Sequence, residues 1–424
     1  MQMNDGKLCV VGLGYIGLPT AAMFARHGMA VLGVDTAAGV VDTINAGSTH
    51  IAEQELAQIV EAAVAAGSMR ASLAPEPADA FVIAVPTPLI HESKTCDLRY
   101  VEAAARSIAP HLVRGNLVVL ESTSPVGTTE HVCRLLAELR PDLVFPDSGA
   151  EECDVHVAYC PERVLPGQII REIVRNDRVI GGMTPGCAAA AKRLYATFVE
   201  GTIVETDART AELCKLTENS YRDVNIAFAN ELSMICDRAG VDVWELIGLA
   251  NRHPRVAILQ PGVGVGGHCI AIDPWFIAGS WPEEARLIRS ARQVNDLKPE
   301  WVLGKTLEAS ARLAEAGKPA AGQTVAVLGL AFKANVGDLR ESPALALARQ
   351  LEQSPIGRLL MVEPNIDALP ADMERSELTP LDDALARADI VLCCVAHRQF
   401  AGLKSRLAVG QILVSAVAID RQAG

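Results

Sequence analysis

The chain of 424 residues reads as an α/β protein: two Rossmann-like, doubly wound parallel-sheet domains joined by a central helical domain. Three observations predict this. Short apolar runs alternate with helix-like amphipathic stretches over the first half. A middle region loses the runs and keeps only a helical period. Near Gln323 the alternation returns. The expected domains are 1–205, 206–317 and 318–424, with 317–322, which carries Pro319, as the second seam.

Each element has its own reason. The runs at 8–11, 30–34, 80–85, 117–120 and 178–180 are continuous in apolar residues, the pattern of strands covered on both faces. Between 207 and 240, Leu213, Leu216, Val224, Phe228, Leu232 and Ile235 recur at roughly helical spacing, with Asp207 as N-cap and Gly240 as stop. A second helical stretch runs from 282 to 316. Between the two lies a glycine-dense loop, Gln260-Pro-Gly-Val-Gly-Val-Gly-Gly-His-Cys-Ile. Runs at 324–328, 359–362, 390–395 and 412–416 close the chain.

Composition excludes several classes. Half the residues are apolar, enough for sizeable cores, but no apolar run approaches the length of a membrane span. No basic segment followed by an apolar one opens the chain, so no signal peptide is read and the expected compartment is the cytoplasm. The 11 cysteines are odd in number, with no CxxC pair, and read as buried hydrophobes and not as a disulfide framework. A net charge of −13 argues against nucleic acid or an anionic membrane as partner.

The cofactor is the first functional expectation. Gly12-Leu-Gly-Tyr-Ile-Gly17 follows the run 8–11 and opens a helical pattern, so backbone N–H groups at a helix N-terminus can meet a pyrophosphate. Asp35 ends the next strand, 18 residues after Gly17, where a carboxylate accepts from ribose hydroxyls and repels a 2′-phosphate. No arginine follows at 36–38, so NAD is expected over NADP. Val85-Pro-Thr-Pro88 and Glu121-Ser-Thr-Ser-Pro-Val-Gly-Thr-Thr129 follow other strands and read equally as crevice loops or as capping residues.

Cys269 lies in Gly264-Val-Gly-Gly-His-Cys269, four residues before Asp273. A cysteine in a glycine loop is ordinarily structural and becomes a nucleophile only if its surroundings favour the thiolate. Lys215 and Asn219 share one helix face, which on spacing alone also describes a solvated surface.

Taken together, these motifs resemble the UDP-glucose/GDP-mannose dehydrogenase family over nearly the whole chain. The resemblance rests on the glycine fingerprint, the Ser122-Thr-Ser-Pro-Val-Gly-Thr-Thr loop, Pro161-Glu-Arg163, the Lys215/Asn219 helix, Gly266-Gly-His-Cys269, and Gly329-Leu-Ala-Phe-Lys333 with Asp338-Leu-Arg340. Tyr159-Cys-Pro-Glu-Arg-Val-Leu-Pro-Gly167, Glu218-Asn-Ser-Tyr-Arg-Asp-Val-Asn225, Asn251-Arg-His-Pro-Arg255 and His268-Cys-Ile-Ala-Ile-Asp-Pro-Trp275 look closer to its UDP-N-acetyl-D-mannosamine dehydrogenase branch.

That resemblance implies NAD-dependent, two-step oxidation of the sugar C6 hydroxymethyl to a carboxylate through a cysteine thiohemiacetal and thioester. It implies Cys269 as nucleophile, Lys215 and Asn219 at the oxyanion, Thr123 and Asp273 at the water, and Glu162 in the active site. Tyr15, Ile16, Asp35, Thr87 and Thr129 fall at NAD positions beside Gly12, Gly14 and Gly17. Arg163, Val164, Lys215, Asn219, Arg222, His253, Arg255, Gly266, Lys333 and Arg340 fall at UDP-sugar positions. A homodimer through the central helices is implied as well, and no metal.

The last domain lacks GxGxxG, so a second NAD site is not expected there. Two departures stand out. Ile-Ala-Ile separates Cys269 from Asp273 where the wider family commonly has a Pro-Lys pair. The chain also stops at Ile419-Asp-Arg-Gln-Ala-Gly424, where an Arg/Lys-Gly stretch and an aromatic are expected, which puts any substrate contact from that stretch in doubt.

Overall fold

A continuous apolar run has no polar face to turn toward water, so its strand is stable only with a layer on each side. The computed structural model follows this rule. It describes residues 6–51, 53, 55–146, 152–165, 167–267 and 269–419, so His268 of the glycine loop and the last five residues lie outside the described part. Two units are distinct, 1–218 and 219–424.

The first unit contains β1 (Lys7–Val11), β2 (Ala30–Val34), β3 (Met69–Ser72), β4 (Ala80–Ile83), β5 (Leu89–Ile90), β6 (Thr95–Cys96), β7 (Leu117–Leu120), β8 (His156–Tyr159), β9 (Arg178–Gly182) and β10 (Ile203–Asp207). Eight of these form one sheet in the order β10-β9-β8-β7-β4-β1-β2-β3, and β5 and β6 make a small hairpin. Along β1, Leu8 and Val10 enter one core while Cys9 and Val11 enter the other. Strand order reverses on the two sides of β1, which opens a crevice at the strand ends between β1 and β4.

In the eight-stranded sheet the pairing is parallel except between β8 and β9, which run antiparallel. An apolar run carries no direction, so the expected parallel sheet holds only as far as β8. At the far end of β9, a Cβ on Gly181 would overlap the backbone of Asp207 and Ala208, and one on Gly182 that of Thr184 and Ala188. Glycine lets the following helices close directly on this strand.

In the second unit, β11 (Thr324–Leu328), β12 (Arg358–Val362), β13 (Ser376–Leu378), β14 (Ile390–Cys393) and β15 (Ile412–Ser415) form a parallel sheet ordered β13-β12-β11-β14-β15. It too has a core on each face.

The helix Ala208–Ala239 matches the expected 207–240 stretch. Asp207 takes the N–H of Thr210 at 2.9 Å and its hydroxyl at 2.6 Å, and Gly240 ends the helix at φ +68°. The second long helix is Arg286–Glu315. A buried polar network joins it to 219–239: Arg292 donates to Asp223 at 2.6 Å, and Asn295 to Asp223 at 2.8 Å. Asn230 donates to Asn295 and accepts the N–H of Gly262, both at 2.8 Å, so the network also anchors the entry to the glycine-rich loop. Among the described residues no helix is long and apolar enough to cross a membrane.

Arg292 is 1% exposed, so Arg292→Ala would leave the Asp223 carboxylate buried without its cation. The expected loss is about 3–5 kcal/mol of unfolding free energy. Urea denaturation of the full chain tests it, and a change below about 0.5 kcal/mol, the range of an ordinary surface substitution, would show that the pair contributes nothing.

Candidate active site

The three fingerprint glycines meet different surroundings. Gly12 sits at φ +96°, and a Cβ there would lie 2.5 Å from the Ala84 carbonyl oxygen. A Cβ on Gly17 would overlap the Gly12 carbonyl, whereas one on Gly14 would meet nothing within 4 Å. The outer two are thus required by the chain's own backbone. The middle one borders open space where a pyrophosphate can approach the start of the helix Gly17–Arg26. Tyr15 is 39% exposed beside it, and Ile16 is half-buried just before the helix.

Asp35 is held at the end of β2 by the N–H groups of Leu13 (3.0 Å) and Ala37 (2.9 Å), one on each oxygen. Each oxygen keeps acceptor capacity for a ribose hydroxyl. These residues fit a dinucleotide.

The two hydroxyl-rich loops are joined to each other. Thr87 donates to the Thr123 carbonyl at 2.7 Å, and Ser122 to the Val85 carbonyl at 2.7 Å. Thr129 is fully buried, and both its N–H and its hydroxyl donate to Glu212 at 2.7 Å. Glu212 also takes the N–H of Gly127 at 2.6 Å, and burial raises its carboxyl pKa against these bonds. The Thr129 hydroxyl is therefore committed inside the protein, and Glu212 shapes this loop. Nothing in the sequence pairs positions 129 and 212.

Glu162 is also committed. It accepts from Arg178 at 2.7 Å and from the Arg163 N–H at 2.7 Å, with both charged side chains buried. Arg178 lies 3.8 Å from Glu121, which accepts from Tyr195 at 3.1 Å. Burial, and then the Glu162 carboxylate, push Glu121 up to about 8. Two carboxylates share one guanidinium here. A visible trace in the sequence is the lone arginine opening the apolar run at 178.

Arg163 pairs with Glu218, Nη2 to Oε1 at 2.5 Å, and Val164 packs on the first-unit core. Lys215 is largely buried, about one turn before Asn219 on the same helix.

The cysteine loop is built by the second unit alone. Asp273, 2% exposed, opens the helix Asp273–Ser280; its N–H reaches the Cys269 carbonyl at 2.8 Å, and its carboxylate holds Asn219 Nδ2 at 2.5 Å. Cys269 itself is exposed. A Cβ on Gly266 would overlap the Glu341 carbonyl and come within 2.7 Å of Pro343. Gly267, at φ +85°, packs on the Phe332 ring. The glycines thus let the cysteine loop seat on the 329–343 loop, which leaves the end of β11. There Lys333 is exposed, and Arg340 is held by Asp338 at 2.8 and 2.6 Å.

Glu363 occupies, on β12, the place that Asp35 occupies on β2. It takes the N–H groups of Leu330 (2.8 Å) and Ala331 (3.1 Å), and pairs with His397 at 3.0 Å. Burial would raise its pKa, but the His397 and backbone bonds outweigh that and bring it to about 2. This acid is filled from within.

Arg222, His253 and Arg255 are exposed, and the His253 ring takes the Arg255 N–H at 3.3 Å.

Sequence models of three domains match this chain. They are the UDP-glucose/GDP-mannose dehydrogenase NAD binding domain at 6–199, the central domain at 209–297 and the UDP binding domain at 326–422. The chain belongs to the UDP-glucose/GDP-mannose dehydrogenase family. It is an NAD-dependent UDP-sugar dehydrogenase.

Among its relatives, the NDP-N-acetyl-D-galactosaminuronic acid dehydrogenase of Ralstonia nicotianae is 58% identical over 94% of this chain and 93% of that protein. The UDP-N-acetyl-D-mannosamine dehydrogenase of Escherichia coli is also 58% identical, over 94% of this chain and 95% of that one. Of solved structures, a UDP-D-ManNAc dehydrogenase from Pyrococcus horikoshii superposes with a TM-score of 0.86 at 37% identity, covering 98% of this family member and 96% of that chain.

Gly14 and Gly17 separate cofactor contact from folding. Gly14→Ala is expected to leave the unfolding midpoint unchanged and to weaken NAD⁺ binding at least about tenfold. Gly17→Ala is expected to cost about 1–3 kcal/mol of stability by overpacking. Calorimetric titration and thermal unfolding of both variants test this; tight NAD⁺ binding by Gly14→Ala would show that the open space is not the pyrophosphate path.

Proposed function

We propose that this dehydrogenase oxidises C6 of UDP-N-acetyl-D-mannosamine to the carboxylate in two steps, with Cys269 as the nucleophile. The observation that carries the proposal is the linkage of an exposed Cys269 to buried Asp273, and of Asp273 to Asn219. That same loop is seated on the 329–343 loop of the UDP-binding domain. In this reading 1–205 binds NAD, 206–317 carries the cysteine loop, and 318–424 holds the UDP-sugar, with Lys333 and Arg340 as its phosphate cations.

NAD⁺, when bound, supplies the hydride acceptor for both two-electron oxidations. The protein does the rest. The Cys269 thiolate adds to the C6 aldehyde, forming a C–S bond and an oxyanion that Lys215 and Asn219 stabilise. Asp273 is a positioning residue for Asn219, since its carboxylate fixes one N–H and leaves the other free to turn to the oxyanion. After the second oxidation a thioester remains. Water adds to it, the C–S bond breaks, and the thiol is regenerated; the family resemblance assigns Thr123 and Asp273 to this step. Glu162, tied to Arg178, holds Arg163 and the neighbouring loop in place.

A second reading is favoured by one observation. A relative named for N-acetyl-D-galactosaminuronic acid is as similar, at 58%, as the one named for N-acetyl-D-mannosamine. Such sugars differ in hydroxyl and acetamido orientation, which pocket shape discriminates. UDP-N-acetylglucosamine and UDP-glucose are further candidates for the same chemistry. A one-step hydroxy-acid dehydrogenase would leave Cys269 and the UDP-binding domain without a task.

Leu213, Phe228 and Ile235 are 40%, 51% and 55% exposed on one long helix, an apolar surface that we assign to a homodimer contact.

Incubation with NAD⁺ and a panel of UDP-hexoses, scoring uronate and NADH, tests the reading. Two NADH per uronate are expected, with UDP-N-acetylmannosamine turned over fastest. Cys269→Ala should fold and make no uronate, and Asn219→Ala should lose about 10²-fold in kcat. Wild-type uronate output from Cys269→Ala would remove the covalent step, and one NADH per substrate would remove the double oxidation.

A further inference from the structure

Three side chains that the oxidation does not use converge elsewhere in the first unit. Cys153 lies in the turn before β8, His156 begins β8, and Cys187 sits in the first turn of the helix Pro185–Tyr195. The Cys153 sulfur is 3.6 Å from His156 Nδ1, and the Cys187 sulfur is 3.7 Å from the same nitrogen. All three donor atoms lie within 4.8 Å of one another. Cys187 is fully buried, and the other two are half-buried.

A single imidazole nitrogen has one lone pair or one proton, so it serves one sulfur well and not two. A cation serves all three. Zinc binds cysteine sulfur at about 2.3 Å and histidine nitrogen at about 2.0–2.1 Å in tetrahedral geometry, which places sulfur and nitrogen about 3.5–3.6 Å apart. The two observed separations already match that edge.

The electrostatics point the same way. Thr184 caps the helix by accepting the Cys187 N–H at 3.3 Å, and its hydroxyl donates to the Cys187 sulfur at 3.2 Å. Burial alone would raise the Cys187 pKa, but the bonds from His156 and Thr184 outweigh it and bring it below the ordinary thiol value. Cys153 is shifted up by burial and then by Cys187. The helix N-terminus adds its own preference for the thiolate. Two sulfurs and an imidazole nitrogen within 4.8 Å of one another are a donor set suited to a soft divalent cation.

We propose that Cys153, His156 and Cys187 form a zinc site, separate from the oxidation chemistry, that ties the start of β8 to the helix Pro185–Tyr195. The protein supplies two sulfurs and one nitrogen, and water completes the tetrahedron.

The test uses the full chain, reduced, stripped of metal and titrated with Co²⁺ as the optical stand-in for Zn²⁺. One equivalent is expected to produce a thiolate-to-cobalt charge-transfer band and tetrahedral d–d absorption, both removed by Zn²⁺. The bands should persist in Cys269→Ala, which excludes the active-site thiol as the ligand. They should be lost in Cys153→Ser and in His156→Gln, and zinc should raise the thermal midpoint of the wild type but not of these variants. Should a variant fail to fold, the wild-type and Cys269→Ala spectra decide alone. No band at one equivalent, or a band lost with Cys269, overturns the proposal. So does thiol titration of the unfolded, unreduced chain that finds two thiols fewer than the 11 cysteines, with a disulfide joining Cys153 to Cys187.

Discussion

Asp273 is the residue on which the cysteine loop depends. Buried at the start of a helix, it gives its N–H to the Cys269 carbonyl and takes Asn219 Nδ2 on its carboxylate. One side chain thus fixes both the backbone at Cys269 and the amide of Asn219. The rest of the loop follows from packing. Gly266 and Gly267 have no Cβ because Glu341, Pro343 and Phe332 occupy the space one would need. A loop that must expose a thiol at one end and seat on a neighbouring loop at the other has few alternatives to glycine.

Buried charge plays the same organising part in several places. Glu212 holds the loop after β7 through Gly127 and Thr129. Arg178 holds Glu162 and lies beside Glu121. Arg292 and Asp223 bind one long helix to the next. Burying a charge is unfavourable unless partners satisfy it, so removing one partner of such a pair leaves the other buried and uncompensated.

The two Rossmann-like sheets use one design for different ends. In each, an acid at the end of the second strand takes at least one backbone N–H from the turn after the first. Asp35 does so with acceptor capacity left over for a ribose. Glu363 is also closed off by His397 and is 4% exposed, so its crevice is shaped for a different occupant.

Local pattern was enough to read much of this in the sequence. Apolar runs, the glycine fingerprint with Asp35, the long helix between Asp207 and Gly240, and the cysteine loop with Asp273 are all set by spacing within short stretches. Sequence spacing also put Lys215 and Asn219 on one helix face. What it could not supply was any pairing across distance or any direction. That Thr129 belongs to Glu212, Glu162 to Arg178 and Cys187 to His156, and that β9 runs against β8, emerges only when the chain has folded. The physical reason is that hydrophobic patterning is local and unsigned, whereas a buried hydrogen bond or ion pair joins whichever polar groups the packing of distant segments brings within reach.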